Sequence, residues 1–434
     1  MENIQTFENK KNLILKELLD TLFELDYNID NRIIIEKIEE KNEDKIFKEK
    51  SFKFDNLLKE YQKQIKFNSC KNNFYIFHKY YNLKENNNKN ALINKLTKIL
   101  YITYRKNFPI IFDNKQKKYT SDSGWGCMIR CGQMIMCRAL FKYFKFIYFK
   151  NIYKSLFKTI QYFLEIPFDL KDLPLNLKPM INKFFKFNNK KILKIYPPFS
   201  IKSICKMGEY YDKTAGKWFS DVNLVNIFKS ISEYFELFKD LKILNFQNSL
   251  NIKDVLNNNF EEIENSNSNE CFEFNKKYYK LNKVGIIFVS CRIGLNSIAK
   301  EYYETIKKIF SCKNCIGIIG GRLNLAYYFI GYNNEKNELL YLDPHTTNKV
   351  VDNLDTKNFI KNYIIKEIHC LKIEKLVTAF TIGFIFRNIQ EFKNLYSWLL
   401  EYTKNEYSCF SLNDLVDEEL LNNHIDLGNN NNDF

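Results

Sequence analysis

Five short apolar runs between residues 284 and 386 limit the fold of this chain more than any other feature of its sequence. Each run is rich in β-branched and aromatic residues and is bounded by polar or glycine-containing turns, which is typical of buried strands. The runs are VGIIFVS (284–290), IGII (316–319), AYYFIGY (326–332), ELLYLD (338–343) and AFTIGFIF (379–386). The polar turn NNEKN is short enough to join the third and fourth runs as a hairpin. The sequence therefore predicts a largely antiparallel sheet in this region.

Helical patterns precede and interrupt these runs. Small and apolar side chains recur at helical spacing directly after the turn residues 121–126, so a helix should begin at or just before Cys127. A second helix is predicted over residues 296–310. Residues 141–164 are apolar but interrupted by lysine every few positions, which predicts a helical surface element and excludes a single membrane span. Together these patterns predict an α+β protein.

The chain is long enough to bury a sizeable core, and its two ends differ from its middle. Its 434 residues are 45% hydrophobic, which provides ample apolar surface to offset the ordering entropy of a globular fold. Residues 1–70 alternate short apolar clusters with Lys/Glu/Asn runs, the pattern of a partly disordered extension. Asn-rich tracts at 85–90 and 257–269 are expected to be loops, and residues 401–434 a flexible tail.

The net charge of +15 does not by itself identify a class of binding partner. Lysine is spread beside asparagine through nearly every segment, and no arginine-rich cluster or recognisable nucleic-acid module is present, so nucleic-acid binding is not expected. Attraction to acidic lipid headgroups stays open. The N-terminus lacks the apolar core of a secretory signal, and the eleven cysteines are irregularly spaced, which favours a reducing cytoplasm.

No metal or other cofactor is expected. Cys312 and Cys315 form a CxxC pair, but no second pair at zinc-ligand spacing accompanies it, and the chain contains only four histidines.

Cys127 is the candidate nucleophile. A cysteine in the first turn of a helix lies at the positive end of the aligned peptide dipoles, where the thiolate is favoured over the thiol. Most cysteines in a reducing compartment are nevertheless small packed core residues. The position of Cys127 alone therefore does not decide between a nucleophile and a core residue.

His345 is the candidate base. His424 lies in the Asn-rich tail, His78 in an aromatic run and His369 in an apolar segment, whereas His345 begins the loop after the strand ELLYLD. Asp343, two residues earlier in extended chain, projects to the same side and can orient the imidazole. The alternative is a simple turn in which Asp343 caps a backbone group.

With Cys127, these residues form a nucleophile, a base and an orienting carboxylate suited to acyl transfer. The backbone N–H of Cys127 can stabilise the oxyanion, but spacing alone does not identify a second donor.

Several long motifs resemble one family. They are TYRKNFP (103–109), GWGCMIRCGQM (124–134), SCRIGLNSIAKEYYETIKKIF (290–310), IGGRLNLAYYFIGY (319–332) and YLDPHTT (341–347). In order and content they resemble the autophagins, the autophagy-related protein four cysteine proteases. The similarity runs from about residue 75 to residue 399, so a catalytic domain is expected over residues 75–400, with insertions near 145–195 and 255–275.

The resemblance implies a papain-like fold with a small accessory subdomain and a monomeric cytoplasmic enzyme. Such an enzyme cuts the ubiquitin-like autophagy-related protein eight after its C-terminal glycine, and later releases it from phosphatidylethanolamine during transient contact with autophagosomal membranes. A non-catalytic adaptor of the same fold that only binds the modifier is the alternative. A basic membrane-surface scaffold built on residues 141–164 is a third possibility.

Carried over by motif, the family's catalytic residues fall on Cys127, Asp343 and His345, and Tyr104 resembles its side-chain donor to the oxyanion. Trp218 resembles the residue that roofs the catalytic cysteine and admits only a narrow tail ending in glycine. This roof faces a mobile loop that corresponds here to Gly321, Arg322, Leu323, Asn324 and Leu325.

Three neighbouring residues carry weaker expectations. Leu323 stands where the family usually has proline, which leaves the rigidity of the loop's hinge in question. Trp125 is expected to support the turn by packing. Cys131 is expected to be a packed residue rather than a peroxide sensor.

Overall fold

The computed structural model describes residues 23–26, 43–67, 73–148, 151–169, 191–234, 238–264, 271–333 and 335–413. Its helices are α1 (Glu43–Gln62), α2 (Asn86–Leu96), α3 (Cys127–Tyr148), α4 (Ile152–Gln161), α5 (Ile201–Gly208), α6 (Asp221–Tyr234), α7 (Ile252–Asn259), α8 (Tyr302–Ile309), α9 (Thr356–Tyr363) and α10 (Ile389–Thr403).

The strands comprise a central sheet and three small sheets. In chain order they are β1 (Phe23–Asp26), β2 (Lys66–Phe67), β3 (Asn73–Ile76), β4 (Lys79–Asn82), β5 (Arg105–Phe112), β6 (Lys118–Ser121), β7 (Phe168–Asp169), β8 (Lys191–Ile195), β9 (Leu241–Gln247), β10 (Ser249–Asn251), β11 (Phe260–Ile263), β12 (Cys271–Phe274), β13 (Lys277–Leu281), β14 (Val284–Arg292), β15 (Cys315–Arg322), β16 (Leu325–Asn333), β17 (Glu338–Leu342), β18 (Asn348–Lys349), β19 (Glu367–Lys372), β20 (Ala379–Phe386) and β21 (Ser411–Asn413).

The central sheet has the order β2-β19-β17-β16-β15-β20-β14-β9-β10-β21, and β3 and β4 join it through β16. Its pairings are antiparallel except for β2 with β19, β9 with β14 and β10 with β21. The predicted largely antiparallel sheet is therefore confirmed. All five predicted strands are present, and β16 and β17 form the predicted hairpin.

Both faces of this sheet are buried. On β14, Ile286 and Phe288 belong to the core that includes α3, whereas Ile287 and Val289 belong to a second core that includes α8 and α10. Because successive side chains of a strand point to opposite faces, a strand between two cores must be apolar at every position. This explains the uninterrupted apolar run VGIIFVS.

Helix α3 lies across β15 and β16 and packs against α4 and α6. The predicted surface location of residues 141–164 is wrong, because Phe141, Phe144, Leu156 and Ile160 are buried. The pattern was misleading because exposed lysines such as Lys145 occupy the outer side of a helix whose other side is fully packed. No helix in the described ranges is both long and apolar enough to cross a bilayer.

The predicted helix over residues 296–310 begins only at Tyr302. The preceding loop is held by its backbone, since the N–H of Ile293 donates to the carbonyl of Thr378 at 2.9 Å and Gly294 has a φ of +150°. The segment between Gly294 and Tyr302 contains apolar residues at helical spacing. Its backbone is nevertheless held in a loop by hydrogen bonding to the distant Thr378.

The Asn-rich tracts are more ordered than predicted. A helix begins at Asn86, and residues 257–263 complete α7 and form β11, which joins β12 and β13 in a three-stranded sheet. At the other end, Cys409 and Phe410 are buried and β21 pairs with β10, so the predicted tail boundary at residue 401 is too early. Residues 414–434 and most of residues 1–42 lie outside the described residues.

Candidate active site

A tight turn places Cys127 at the first position of α3. The carbonyl of Asp122 accepts hydrogen bonds from the N–H groups of Trp125 at 3.2 Å and Gly126 at 2.9 Å. Gly124 has a φ of +86°, a conformation that favours glycine, and a Cβ at Gly126 would lie 2.5 Å from Oδ2 of Asp122. The two glycines of the GWG sequence are thus required by the turn that delivers the cysteine to the helix terminus.

A buried ion-pair network lies beneath this turn. The Nε of Arg130 donates to Oδ2 of Asp122 at 2.6 Å, and its NH1 donates to Glu165; all three side chains are essentially buried. Oδ1 of Asp122 accepts from the backbone N–H of Arg105 at 2.6 Å, and Oε2 of Glu165 accepts from that of Ile201 at 2.8 Å. The network therefore ties the turn to β5, to α3 and to the start of α5.

Sequence reasoning missed this network. The available signal was an arginine among the apolar positions of the nucleophile helix, close to an aspartate in the preceding turn. Glu165 could not be found in this way, because only the folded chain brings it near.

The structure brings the predicted base and orienting carboxylate together at the end of β17. Oδ1 of Asp343 accepts the backbone N–H of His345 at 3.0 Å and also pairs with the Nδ1 of its ring. The Tyr101 hydroxyl donates to the backbone carbonyl of Asp343 at 2.5 Å. The ring of His345 is thereby fixed, and its buried Nε2 has no nitrogen or oxygen partner among the described residues.

Cys127 interacts with this histidine. Burial raises the pKa of Cys127, but hydrogen bonds with the His345 ring, the backbone of Ala326 and the Tyr104 side chain, together with the charge on His345, lower it below its ordinary value. Burial lowers the pKa of His345, but hydrogen bonds and charge from Asp343 and Cys127 outweigh it and raise that pKa to about 9. The pair therefore favours a thiolate beside an imidazolium ion.

Activity should have a bell-shaped pH profile. We expect kcat/KM to rise as the Cys127 thiol ionises below its ordinary pKa, and to fall as His345 loses its proton near a pKa of about 9. Asp343→Asn removes the charge that raises the pKa of His345, so its alkaline limb should move toward the ordinary imidazole value of about 6.5. A wild-type rate that keeps rising through the alkaline range would contradict the ion pair.

Tyr104 lies beside Cys127 and His345, and its role as a side-chain donor to the oxyanion stays a prediction. Its N–H donates to the carbonyl of Pro344 at 2.9 Å, and its own carbonyl accepts from Asn348 at 2.9 Å. The ring lies edge-on to that of His345, with centroids 5.4 Å apart. Burial, followed by the charge of Cys127 and a hydrogen bond with it, raises the pKa of Tyr104, so the phenol keeps its proton and can donate it.

Tyr104→Phe tests this role. We expect the variant to lose roughly 10²-fold to 10³-fold in kcat with little change in KM, because an oxyanion donor acts mainly in the transition state. Steady-state kinetics on a protein substrate would measure both constants. Tyr101→Phe is the matched control, since its hydroxyl contacts the carbonyl of Asp343 instead of the sulfur. An equal loss of kcat in both variants would assign Tyr104 a structural role.

The two tryptophans near Cys127 differ in their burial. Trp125 is buried, its Nε1 donates to the carbonyl of Ser121 at 3.0 Å, and its ring packs edge-on to Tyr119, so it supports the turn. Trp218 is 48% exposed, and its Nε1 donates to the carbonyl of Gly124 at 3.2 Å. The exposed indole is therefore fixed to the turn that carries Cys127.

The loop resembling the family's mobile segment is the turn of the β15–β16 hairpin. Arg322 pairs with Leu325, so only Leu323 and Asn324 form the tip. Asn324 has a φ of +64°, and Leu323 is 82% exposed. Gly321 precedes the turn, and its carbonyl accepts the N–H of Val377 at 2.9 Å. The loop next to Ala326 is thus a tight hairpin with an apolar tip.

The remaining candidates are Cys131 and the three histidines other than His345. Cys131 is fully buried, and burial raises its pKa well above the ordinary value, as expected of a packed residue. His369 on β19 stacks on Tyr341, and His78 lies in the turn between β3 and β4. His424 lies outside the described residues. Across the described ranges, no group of three or more potential ligands is arranged to hold a metal ion.

Comparison with known proteins gives consistent matches. The family described as the peptidase C54 catalytic domain matches residues 89–398. The chain is similar to cysteine protease ATG4B of Gallus gallus, at 28% identity over 70% of this chain and 75% of the relative. It is also similar to cysteine protease ATG4C of Xenopus laevis, at 25% identity over 72% and 71%. Cysteine protease ATG4A of Gallus gallus is 26% identical over 71% and 77%.

Proposed function

Since the chain belongs to the peptidase C54 family and is a papain-like cysteine protease of the autophagy pathway, we propose that it cleaves a ubiquitin-like autophagy modifier after its C-terminal glycine. The same reaction would serve two substrates, the modifier precursor and the modifier conjugated to phosphatidylethanolamine. In both, the bond broken is an amide on the carboxyl side of glycine. The proposed place of action is the cytoplasm, as a monomer, with transient contact to the autophagosomal surface.

One observation carries the proposal: the sulfur of Cys127 interacts with His345, which is oriented by Asp343, and with the phenol of Tyr104. The Cys127 thiolate attacks the glycine carbonyl carbon, and the carbonyl oxygen becomes an oxyanion. The Tyr104 hydroxyl and the backbone N–H of Cys127 are the proposed donors to that oxyanion. The imidazolium of His345 then protonates the departing amine as the C–N bond breaks, which leaves a thioester.

Hydrolysis of the thioester completes the cycle. Neutral His345 removes a proton from water, the resulting hydroxide attacks the thioester carbonyl, and the Cys127 thiolate leaves. The proton taken from water stays on the imidazole and the product leaves as the carboxylic acid, so the starting pair of thiolate and imidazolium is restored.

Trp218 is the proposed determinant of specificity for glycine. Its indole is held by Gly124, three residues before the nucleophile, and remains half exposed. A substrate tail entering beside Cys127 would pass this ring, so a side chain at the scissile residue would collide with it. Arg322 and the tip residues Leu323 and Asn324 are proposed to contact the same tail from the β15–β16 hairpin.

A two-substrate cleavage assay tests the function. Purified enzyme should trim a modifier precursor immediately after the glycine and should release the modifier from phosphatidylethanolamine in vesicles, with both products verified by mass. A precursor with leucine in place of the scissile glycine is the matched control and should be cleaved very slowly. Tight binding of the precursor without cleavage by active-site-intact protein would favour the adaptor alternative.

A further inference from the structure

A group of cations converges at the far end of the nucleophile helix. Lys95 lies in the last turn of α2 and Lys98 just after its end, Arg138 and Lys142 lie one turn apart on α3, and Lys313 lies in the loop before β15. We refer to these five residues as the basic cluster. They come from separate segments of the chain, and Arg138 is 11 residues after Cys127, or roughly 16 Å along the helix. The basic cluster is therefore distinct from the active site.

Direct contacts hold the cluster together. The guanidinium of Arg138 lies 4.8 Å from the ring centroid of Phe77, and the ammonium of Lys95 lies 5.7 Å from the same ring. NH1 of Arg138 donates to the carbonyl of Lys98 at 3.4 Å, and Nζ of Lys142 donates to that of Lys313 at 3.3 Å. The cations are thus positioned by an aromatic ring and by backbone oxygens.

In the part of the chain that the structure describes, no acidic side chain compensates the charge of the basic cluster. Within the described residues, none of the five cations forms a salt bridge, and Glu391, whose charge acts on Lys142, is already paired with Arg387. Arg138 is only 6% exposed, and its Nε has no hydrogen-bond partner in the described part of the chain. A buried donor on a cation is costly when it is unpaired. A buried guanidinium whose Nε has no partner in the described residues therefore points to a ligand.

Burial and mutual repulsion both lower the pKa of two lysines of the basic cluster. Burial, followed by the charges of neighbouring cations, lowers the pKa of both Lys95 and Lys142 to about 7. The same causes lower the pKa of His78, in the adjacent β3–β4 turn, to about 4. Lysines that are merely part of a Lys-rich surface remain solvated and apart, so the general composition of the chain does not account for this arrangement.

We propose that the basic cluster is a binding site for a phosphate group carrying two negative charges. A phosphomonoester offers three acceptor oxygens and close to two charges, which suit several converging ammonium groups and a guanidinium donor. A carboxylate would neutralise only one of these cations. Lys98 also lines a neighbouring groove of about 650 Å³ that carries Lys59, Lys63 and one acid, Asp55, so a ligand with further phosphates could extend into it.

A lysine double variant tests the site. Wild-type protein should bind inorganic pyrophosphate saturably by calorimetry at physiological ionic strength. Lys95→Gln combined with Lys142→Gln should weaken binding by about tenfold or more, because charge-assisted hydrogen bonds contribute at least that factor. Lys280→Gln combined with Lys357→Gln removes the same charge from exposed lysines elsewhere and should leave affinity within about twofold.

Vesicle sedimentation separates the two sources of phosphate. Cluster-dependent binding to phosphatidylcholine vesicles containing phosphatidic acid would assign the site to a lipid headgroup, and pyrophosphate binding without vesicle binding would assign it to a soluble phosphate. Absence of saturable binding to either probe, or an equal loss in both double variants, would overturn the proposal. Both variants should retain full cleavage of the precursor, so failure here is independent of the proposed proteolysis.

Discussion

Cys127→Ala should lower kcat/KM for precursor cleavage by a factor on the order of 10⁴ or more, because nucleophile, base and orienting group act as a unit. Alanine retains the Cβ at the start of α3 but cannot form the thioester. Precursor cleavage, followed by gel or mass spectrometry, measures the loss. The variant should still bind the precursor, since none of the residues proposed to contact the substrate tail is altered.

Cys131→Ala is the matched control for this variant. It removes a thiol one turn further along the same helix, where the sulfur is fully buried. Its activity should remain within a few-fold of wild type, although the lost packing lowers stability. Wild-type cleavage by Cys127→Ala would remove Cys127 from the mechanism, whatever the behaviour of Cys131→Ala.

Arg130→Leu should lower the free energy of unfolding by about 3–5 kcal/mol, because it leaves two buried carboxylates without their counter-ion. Asp122 and Glu165 are essentially inaccessible to solvent, so water cannot replace the guanidinium. Chemical denaturation of the purified variant measures the loss. The residual activity of the folded fraction should also fall, since Asp122 shapes the turn before Cys127.

Lys308→Met provides the comparison for Arg130. It breaks an ion pair with Glu401 in which both side chains are well exposed, so the expected loss is below about 1 kcal/mol. Glu165→Gln, which keeps a hydrogen-bond acceptor beside Arg130, should be intermediate and gives a folded variant if Arg130→Leu does not fold. Similar losses for Arg130→Leu and Lys308→Met would show that the buried network contributes no special stability.

The five predicted strands of the central sheet agree with the structure to within a few residues because each carries its own local signal. A run such as AFTIGFIF is apolar wherever it is placed, and β20 coincides with it. The start of α8 was not predictable, since the loop around Gly294 is fixed by hydrogen bonds to Thr378, which lies more than eighty residues later. Local patterns therefore predict the helices and strands but not the long-range hydrogen bonds that determine where some of them begin.

Local sequence likewise predicts some residues of the candidate site and not others. The helix-start position of Cys127 and the spacing of Asp343 and His345 are local features, and the structure brings these residues together. Tyr104 was accessible only through family resemblance, because nothing in TYRKNFP by itself indicates a contact with the sulfur. The Asp122–Arg130–Glu165 network and the basic cluster arise from segments far apart in sequence, so no local pattern contained them.

The separation of Cys127 and His345 by more than two hundred residues has a consequence during synthesis. The helix carrying the thiol leaves the ribosome long before β17, and until the sheet has closed there is no imidazole beside the sulfur. A nascent or half-folded polypeptide therefore has the Cys127 thiol without the histidine that activates it. The candidate active site is therefore assembled only when the domain is complete.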